Sequence, residues 1–172
     1  MMLLTTSVML ANDHSVEFDK KGDFSKFKTF AVREGKINSG RYELNNSLVA
    51  RKTADAIRSS LTSKGLMESS NQPDVVVEFN ASGRDFTIGP GGRASVIDES
   101  RPPEDNRGRR GHGDAPVRYS EGTLVIDVRR TQTWELVWRG VYNDHEKNSA
   151  KLAQKLPDDA RKLLSEYPAN QK

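Results

Sequence analysis

Apolar and polar positions alternate most regularly over residues 119–142. Leu124, Ile126 and Val128 alternate with Thr123, Val125 and Asp127; after a short polar break, Leu136, Trp138 and Tyr142 alternate with Glu135, Val137 and Arg139. Period two on both arms predicts two half-buried strands, and the break at 129–134 is short enough to make them antiparallel neighbours in one β-hairpin. Register follows, because a slip of one residue would carry Ile126 and Trp138 from the core into water.

The remaining elements are fitted around that hairpin. Residues 1–11, MMLLTTSVMLA, form an apolar run ending in a small residue. It is too short to span a bilayer and has the length of a signal-peptide apolar region, without the usual basic start. Residues 1–14 are therefore read as a signal remnant or a disordered N-terminus. Asn12 stands where a lipoprotein signal would place cysteine, which disfavours a lipid anchor. Short strands are predicted at 16–18 and 29–32, with turn chemistry at Asp19-Lys-Lys-Gly22 between them. Phe18, Phe24, Phe27 and Phe30 fall at strand or turn spacing and read as core.

Asn45, Asn46 or Ser47 caps a helix running to Lys64 with an apolar stripe of Ala50, Ala54, Ile57 and Leu61. Gly65, free to adopt the left-handed conformation, closes it with Leu66 folding back on Leu61. Pro73-Asp74 opens a strand at 75–82 whose three leading valines predict a central position, with Glu78 facing solvent. After the hairpin, 144–155 is polar with room for one or two helical turns. Leu156-Pro157-Asp158-Asp159 reads as the start of a last helix that buries Ala160, Leu163, Leu164 and Tyr167 and stops at Tyr167-Pro168. Residues 169–172 are a tail.

Composition changes this picture at one place. The chain has 172 residues, enough for a single domain, yet only 34% are hydrophobic and mean hydropathy is −0.74. The deficit lies in residues 83–118, where seven glycines, four prolines, seven arginines and six acids break every periodic pattern. This reads as a mobile Gly/Arg-rich loop inserted in a domain spanning 15–168. The net charge of +3, from 27 basic and 24 acidic residues, implies no bulk affinity for nucleic acid. The absence of cysteine excludes disulfides, thiolate nucleophiles and cysteine-bound zinc from this sequence.

Candidate chemistry is sparse. His14, His112 and His145 lack metal-ligand spacing, no Gly-x-Ser-x-Gly elbow occurs, and no carboxylate pair stands out. Gly-Pro-Gly-Gly-Arg at 89–93 lacks the Gly-Lys-Ser/Thr ending of a phosphate loop. No catalytic, cofactor-binding or metal-binding residue is assigned, and no cofactor is expected. The sharpest charge cluster is Arg107-Gly-Arg-Arg-Gly-His112, whose guanidinium groups suit phosphate or carboxylate. It has no interleaved tyrosine or tryptophan for base stacking, and acids nearby offset its charge. Trp134, in the hairpin turn, is either folded over the sheet edge or presented to a partner. Arg107, Arg109, Arg110, His112 and Trp134 are thus the candidate partner contacts.

Five stretches in order carry a resemblance: Phe24-Ser-Lys-Phe-Lys-Thr-Phe30, Leu61-Thr-Ser-Lys-Gly65, Tyr119-Ser-Glu-Gly-Thr-Leu-Val-Ile-Asp127, Leu136-Val-Trp-Arg-Gly140 and Leu164-Ser-Glu-Tyr-Pro168. Together they resemble the bacterial domain-of-unknown-function family numbered 4136. The resemblance implies an exported, lipoprotein-like envelope protein with an α+β domain and no assigned activity. The chain departs from that pattern in lacking the lipidation cysteine. It also carries Arg130 and Trp134 where such hairpins usually have an acid and a glycine, implying a wider turn.

The element order predicts an α+β fold: a mostly antiparallel sheet of four to five strands with two helices on one face, the other face left for solvent or a partner. The expected role is a non-enzymatic periplasmic or secreted binding or structural module. Its partner would be an envelope protein or polymer, met by the open face or the arginine loop. A nucleic-acid or polyanion binder using that loop, and a small-molecule carrier or hydrolase, are the alternatives.

Overall fold

The computed structural model describes residues 14–19, 22–33, 35–38, 45–82, 86–88, 94–96, 117–119, 122–144, 146 and 148–169. Its main sheet runs β1 (His14–Phe18), β10 (Leu136–Asn143), β9 (Thr123–Arg130), β5 (Val75–Ser82), β2 (Thr29–Val32) and β4 (Met67–Glu68), and β3 (Lys36–Asn38) also pairs with β5. The fold is α+β as expected, but the sheet is mixed and has six strands in line. Strands β1, β10, β9 and β5 are antiparallel, whereas β2 and β3 pair parallel with β5, and β4 pairs parallel with β2. The helix α1 (Ser47–Ser63) lies between β2 and β5 in the chain, and a strand that returns through a helix to its neighbour's side arrives parallel. Strands β3 and β4 have three and two residues, too few for alternation to reveal them.

The hairpin forms with the expected faces aligned. Trp138 pairs with Val128, Gly140 with Ile126 and Tyr142 with Leu124, after an irregularity between Leu136 and Trp138. Ile126 and Trp138 are wholly buried, in one core with Phe30, Val75, Val77, Phe79, Leu124 and Val128 from the sheet and Ile57, Leu61, Leu163 and Leu164 from the helices. The expectation of half-buried strands does not hold. In β9 every residue from Thr123 to Arg129 is buried, so its second face is covered too. Glu78, expected in solvent, lies on that second face with its side chain only 17% exposed.

Helix α1 begins and ends as its sequence dictates. The Asn46 side chain accepts from Val49 N–H. At the other end Gly65 takes φ +90°, Gly65 N–H donates to Thr62 C=O and Leu66 N–H to Leu61 C=O, the Schellman pattern. Gly65→Val forces a β-branched residue into the left-handed region. It is expected to cost about 1–2 kcal/mol, read by urea denaturation; an unchanged midpoint would refute the closure. Lys64 Nζ then donates to the carbonyls of Ser165 and Tyr167, tying the end of α1 to the end of the second helix.

That second helix, α2 (Ser149–Ser165), starts eight residues before Pro157 and is capped by Asn148, whose side chain accepts from Ala150 and Lys151 N–H. The proline was expected at its start. It sits mid-helix instead, because the apolar positions Leu152 and Leu156 continue the face of Ala160, Leu163 and Leu164, and their burial outweighs one missing backbone hydrogen bond.

Asp159 lies on this buried face at 2% exposure, with Oδ1 at 3.5 Å from Lys162 Nζ and Oδ2 without a partner. Burial pushes its pKa from 3.8 up to about 6, against the pull of Lys162 and with a further push from Asp144. Since the folded state holds this proton more tightly than the unfolded chain, the contribution of Asp159 to stability is fully present below about pH 4 and is lost as pH rises through about 6. Asp159→Asn is expected to flatten that decline and to raise Tm at pH 7. An unchanged pH dependence of Tm would count against it.

Within the stretch read as an inserted loop, β6 (Phe86–Ile88), β7 (Ala94–Val96) and β8 (Val117–Tyr119) form a separate three-stranded antiparallel sheet, ordered β7-β6-β8. The rest of residues 83–118, and residues 1–13, lie outside the described residues.

Candidate functional site

On the face of the sheet opposite the helices, alternation brings Val76, Glu78 and Asn80 of β5 beside Val125, Asp127 and Arg129 of β9 and Arg139 of β10. Asp127 is 1% exposed and accepts from Arg139 Nε at 2.6 Å and Nη2 at 2.7 Å, with Arg129 Nη2 at 3.3 Å. Two guanidinium groups thus hold one buried carboxylate, a geometry that compensates desolvation through paired charge-assisted hydrogen bonds. Glu78 pairs with Arg33 at 3.4 Å. Burial raises its pKa, against the pull of Arg33 and Arg129. The face expected to remain open for a partner is therefore occupied by buried ion pairs and by Val76 and Val125.

The network leads to the hairpin turn. Arg129 Nη1 donates to Trp134 C=O at 3.3 Å, and the Arg33 guanidinium lies 4.5 Å from the centre of the Trp134 ring. Trp134 is folded against the protein and half-buried, in a turn closed by Trp134 N–H donating to Arg130 C=O and Arg130 N–H donating to Glu135 C=O. Its φ is +62°, left-handed for a large side chain, and the cation–π contact with Arg33 offsets part of that strain. The wider turn implied by Arg130 and Trp134 is a four-residue loop ending in this left-handed tryptophan.

Beside the turn lies an open groove. One wall is Arg130, Thr131, Gln132, Thr133 and Glu135; the other is Gln72, Pro73 and Asp74, with Lys26 and Phe27 at the end. Asp74 is a structural post. Burial works to raise its pKa, but hydrogen bonds from Lys28 N–H, Thr29 N–H and Thr29 Oγ1 outweigh this and leave it lowered. Arg130 lies over Phe27 at 5.2 Å and reaches Glu135 at 3.6 Å. Thr131 Oγ1 is a buried hydroxyl without a partner. Two non-glycine residues among those described have positive φ, and both adjoin this groove: Gln72 at +46° and Trp134 at +62°.

Of the residues proposed from sequence, the structure places Trp134 beside the groove; Arg107, Arg109, Arg110 and His112 lie outside the described residues. Sequence reasoning missed Asp127, Arg129, Arg139 and the groove wall at 72–74. Asp127 and Arg139 sit at matching positions across the hairpin, a signal that was present, but polar residues on an alternating strand ordinarily read as solvent-facing. The second wall had no signal, since Gln72 and Arg130 meet only through pairing of β5 with β9. No group of acids and histidines able to hold a metal occurs among the described residues. Nor is any described helix long and apolar enough to cross a membrane.

Comparison with known proteins agrees with the fold. Residues 14–169 match the profile of DUF4136, a domain of unknown function. A DUF4136 family protein from Bacteroides thetaiotaomicron superimposes with TM-score 0.62 at 14% identity, covering 92% of this chain and 97% of its own. A PDZ domain protein from Parabacteroides distasonis gives TM-score 0.56 at 17% identity, covering 94% of this chain and 36% of its own. Among curated proteins none matches the sequence.

Proposed function

The chain belongs to the DUF4136 family of domains of unknown function, and from that premise we propose that it is a non-enzymatic envelope protein, periplasmic or secreted, that binds a macromolecular partner through the groove at its hairpin turn. The observation that carries this reading is the coincidence of an open, hydrogen-bonding groove with two left-handed non-glycine residues at its border. Strained backbone of this kind is held at a cost of about 1–3 kcal/mol per residue and collects where a surface must be preshaped. The export reading is supported by the apolar run at 1–11.

The groove also favours a class of contact. Lys26 and Arg130 are balanced by Asp74 and Glu135, and Gln72, Gln132, Thr131 and Thr133 supply amides and hydroxyls. A partner held there is held by directed hydrogen bonds, so its binding persists as salt is raised. A polyanion on the arginine cluster would lose affinity steeply.

The sequence has no cysteine, so Gln132→Cys carries a single photo-crosslinker into the groove. Crosslinking in envelope extract is expected to give one discrete adduct. That adduct should persist at high salt and be lost in Arg130→Glu and in Trp134→Gly, where glycine keeps the turn conformation and removes the ring. Full-length chain found only in the cytosolic fraction, or an adduct indifferent to both substitutions, would overturn the proposal.

A further inference from the structure

The two ends of the main sheet differ. Strand β4 ends it with two residues, short enough to discourage pairing with another chain. Strand β1 ends it with five, and among the described residues no strand covers its outer side. Asp19 N–H donates to Val137 C=O, so by antiparallel alternation Ser15 and Glu17 also turn their backbone groups toward β10. His14, Val16 and Phe18 turn theirs outward. Phe18 is 38% exposed, one of three exposed large hydrophobics among the described residues, and packs edge-on against Phe24.

We propose that β1 pairs antiparallel with β1 of a second copy of this chain about a twofold axis at Val16, joining the two sheets edge to edge. The register is self-complementary. Val16 meets Val16, each Ser15 meets Glu17 so that no like charges are opposed, and each Phe18 meets His14. The outward-facing residues of an antiparallel pair exchange both N–H···O bonds, so the unpaired edge groups of all three become satisfied. The His14 ring is already fixed for this contact, lying parallel to Tyr142 at 6.2 Å with Nε2 at 2.5 Å from Glu166 Oε1. The exposed Phe18 ring is covered by that partner stack. Isologous contact of one patch with itself is the commonest closed geometry for homo-oligomers.

The test is the mass of the full chain in solution, with amide exchange of β1, over concentrations on the order of 1 µM to 1 mM, a range suited to a small interface. The expected result is a rise from one 19.2 kDa chain to two. Amides of His14, Val16 and Phe18 should gain protection with concentration while those of Ser15 and Glu17 are protected throughout. Val16→Pro removes an outward N–H and leaves the bonds to β10, so it should stay at single-chain mass with an unchanged circular dichroism spectrum. Single-chain mass at every concentration, or a Val16→Pro variant that dimerises like the parent, would overturn the proposal. Should Val16→Pro unfold, the exchange data decide, and no concentration-dependent protection at 14, 16 and 18 refutes it.

Discussion

Asp127→Ala is expected to destabilise the fold by about 3–5 kcal/mol, enough to leave a domain of this size partly unfolded at 37 °C. The effect arises from what remains. Arg139 and Arg129, 7% and 4% exposed, would keep two positive charges in a buried layer with their shared carboxylate gone. The same argument predicts recovery when all three are made apolar. Asp127→Leu, Arg129→Met and Arg139→Met together should regain most of the loss, because burying charge is what makes the single change costly. Equilibrium denaturation of both variants measures this. A single change costing under about 1 kcal/mol would mean that water reaches the network and that the second face is not a buried layer.

The other large effect belongs to Trp138. Its indole, wholly buried, lies against Tyr167 at 5.8 Å in an edge-to-face array that continues through Phe24 to Phe27. The ring occupies the space above Gly140, where an added Cβ would come within 2.5 Å of it and 3.2 Å of a Leu163 methyl. Trp138→Ala opens a cavity between sheet and helices and is expected to cost about 3–5 kcal/mol. Trp138→Phe should cost far less, since the indole Nε1 has no hydrogen-bond partner to lose. Gly140→Val is expected to destabilise from the opposite direction, by overpacking, about 1–3 kcal/mol. Retention of the parent midpoint by Trp138→Ala would show that the indole does not fill the sheet–helix interface. Spacing predicts that Trp138 is inside; the reason Leu136-Val-Trp-Arg-Gly140 ends in glycine appears only once the ring is seen lying over that residue.

Legibility followed the range of the interactions. The helix start at one of Asn45, Asn46 or Ser47, the Schellman closure at Gly65, the valine run that marks β5 as covered on both faces and the inward faces of β9 and β10 all depend on residues within a few positions of one another, so they read directly from the chain. That Asn46 is the cap was decided by the structure. The start of α2 misread because proline's local preference for a first helical turn competes with burial of Leu152 and Leu156, which is decided by the sheet beneath. Glu78 and Asp127 misread for the same cause, since a strand's alternation says which residues share a face and nothing about what lies on it. At the groove, Trp134 was visible as an unusual turn residue, but its partner Arg33 lies about a hundred positions away.

The sequence by itself determined helix α1, the buried face and the end of the last helix, the hairpin register and the α+β class, because periodicity and capping are local signals written in adjacent residues. Tertiary structure alone decided that the sheet is mixed, that its second face is a buried layer of ion pairs, and that residues 26–27, 72–74 and 130–135 line one groove. Those outcomes depend on which strands lie side by side, and strand order is fixed by crossover handedness and by long-range burial that no short window of the chain contains.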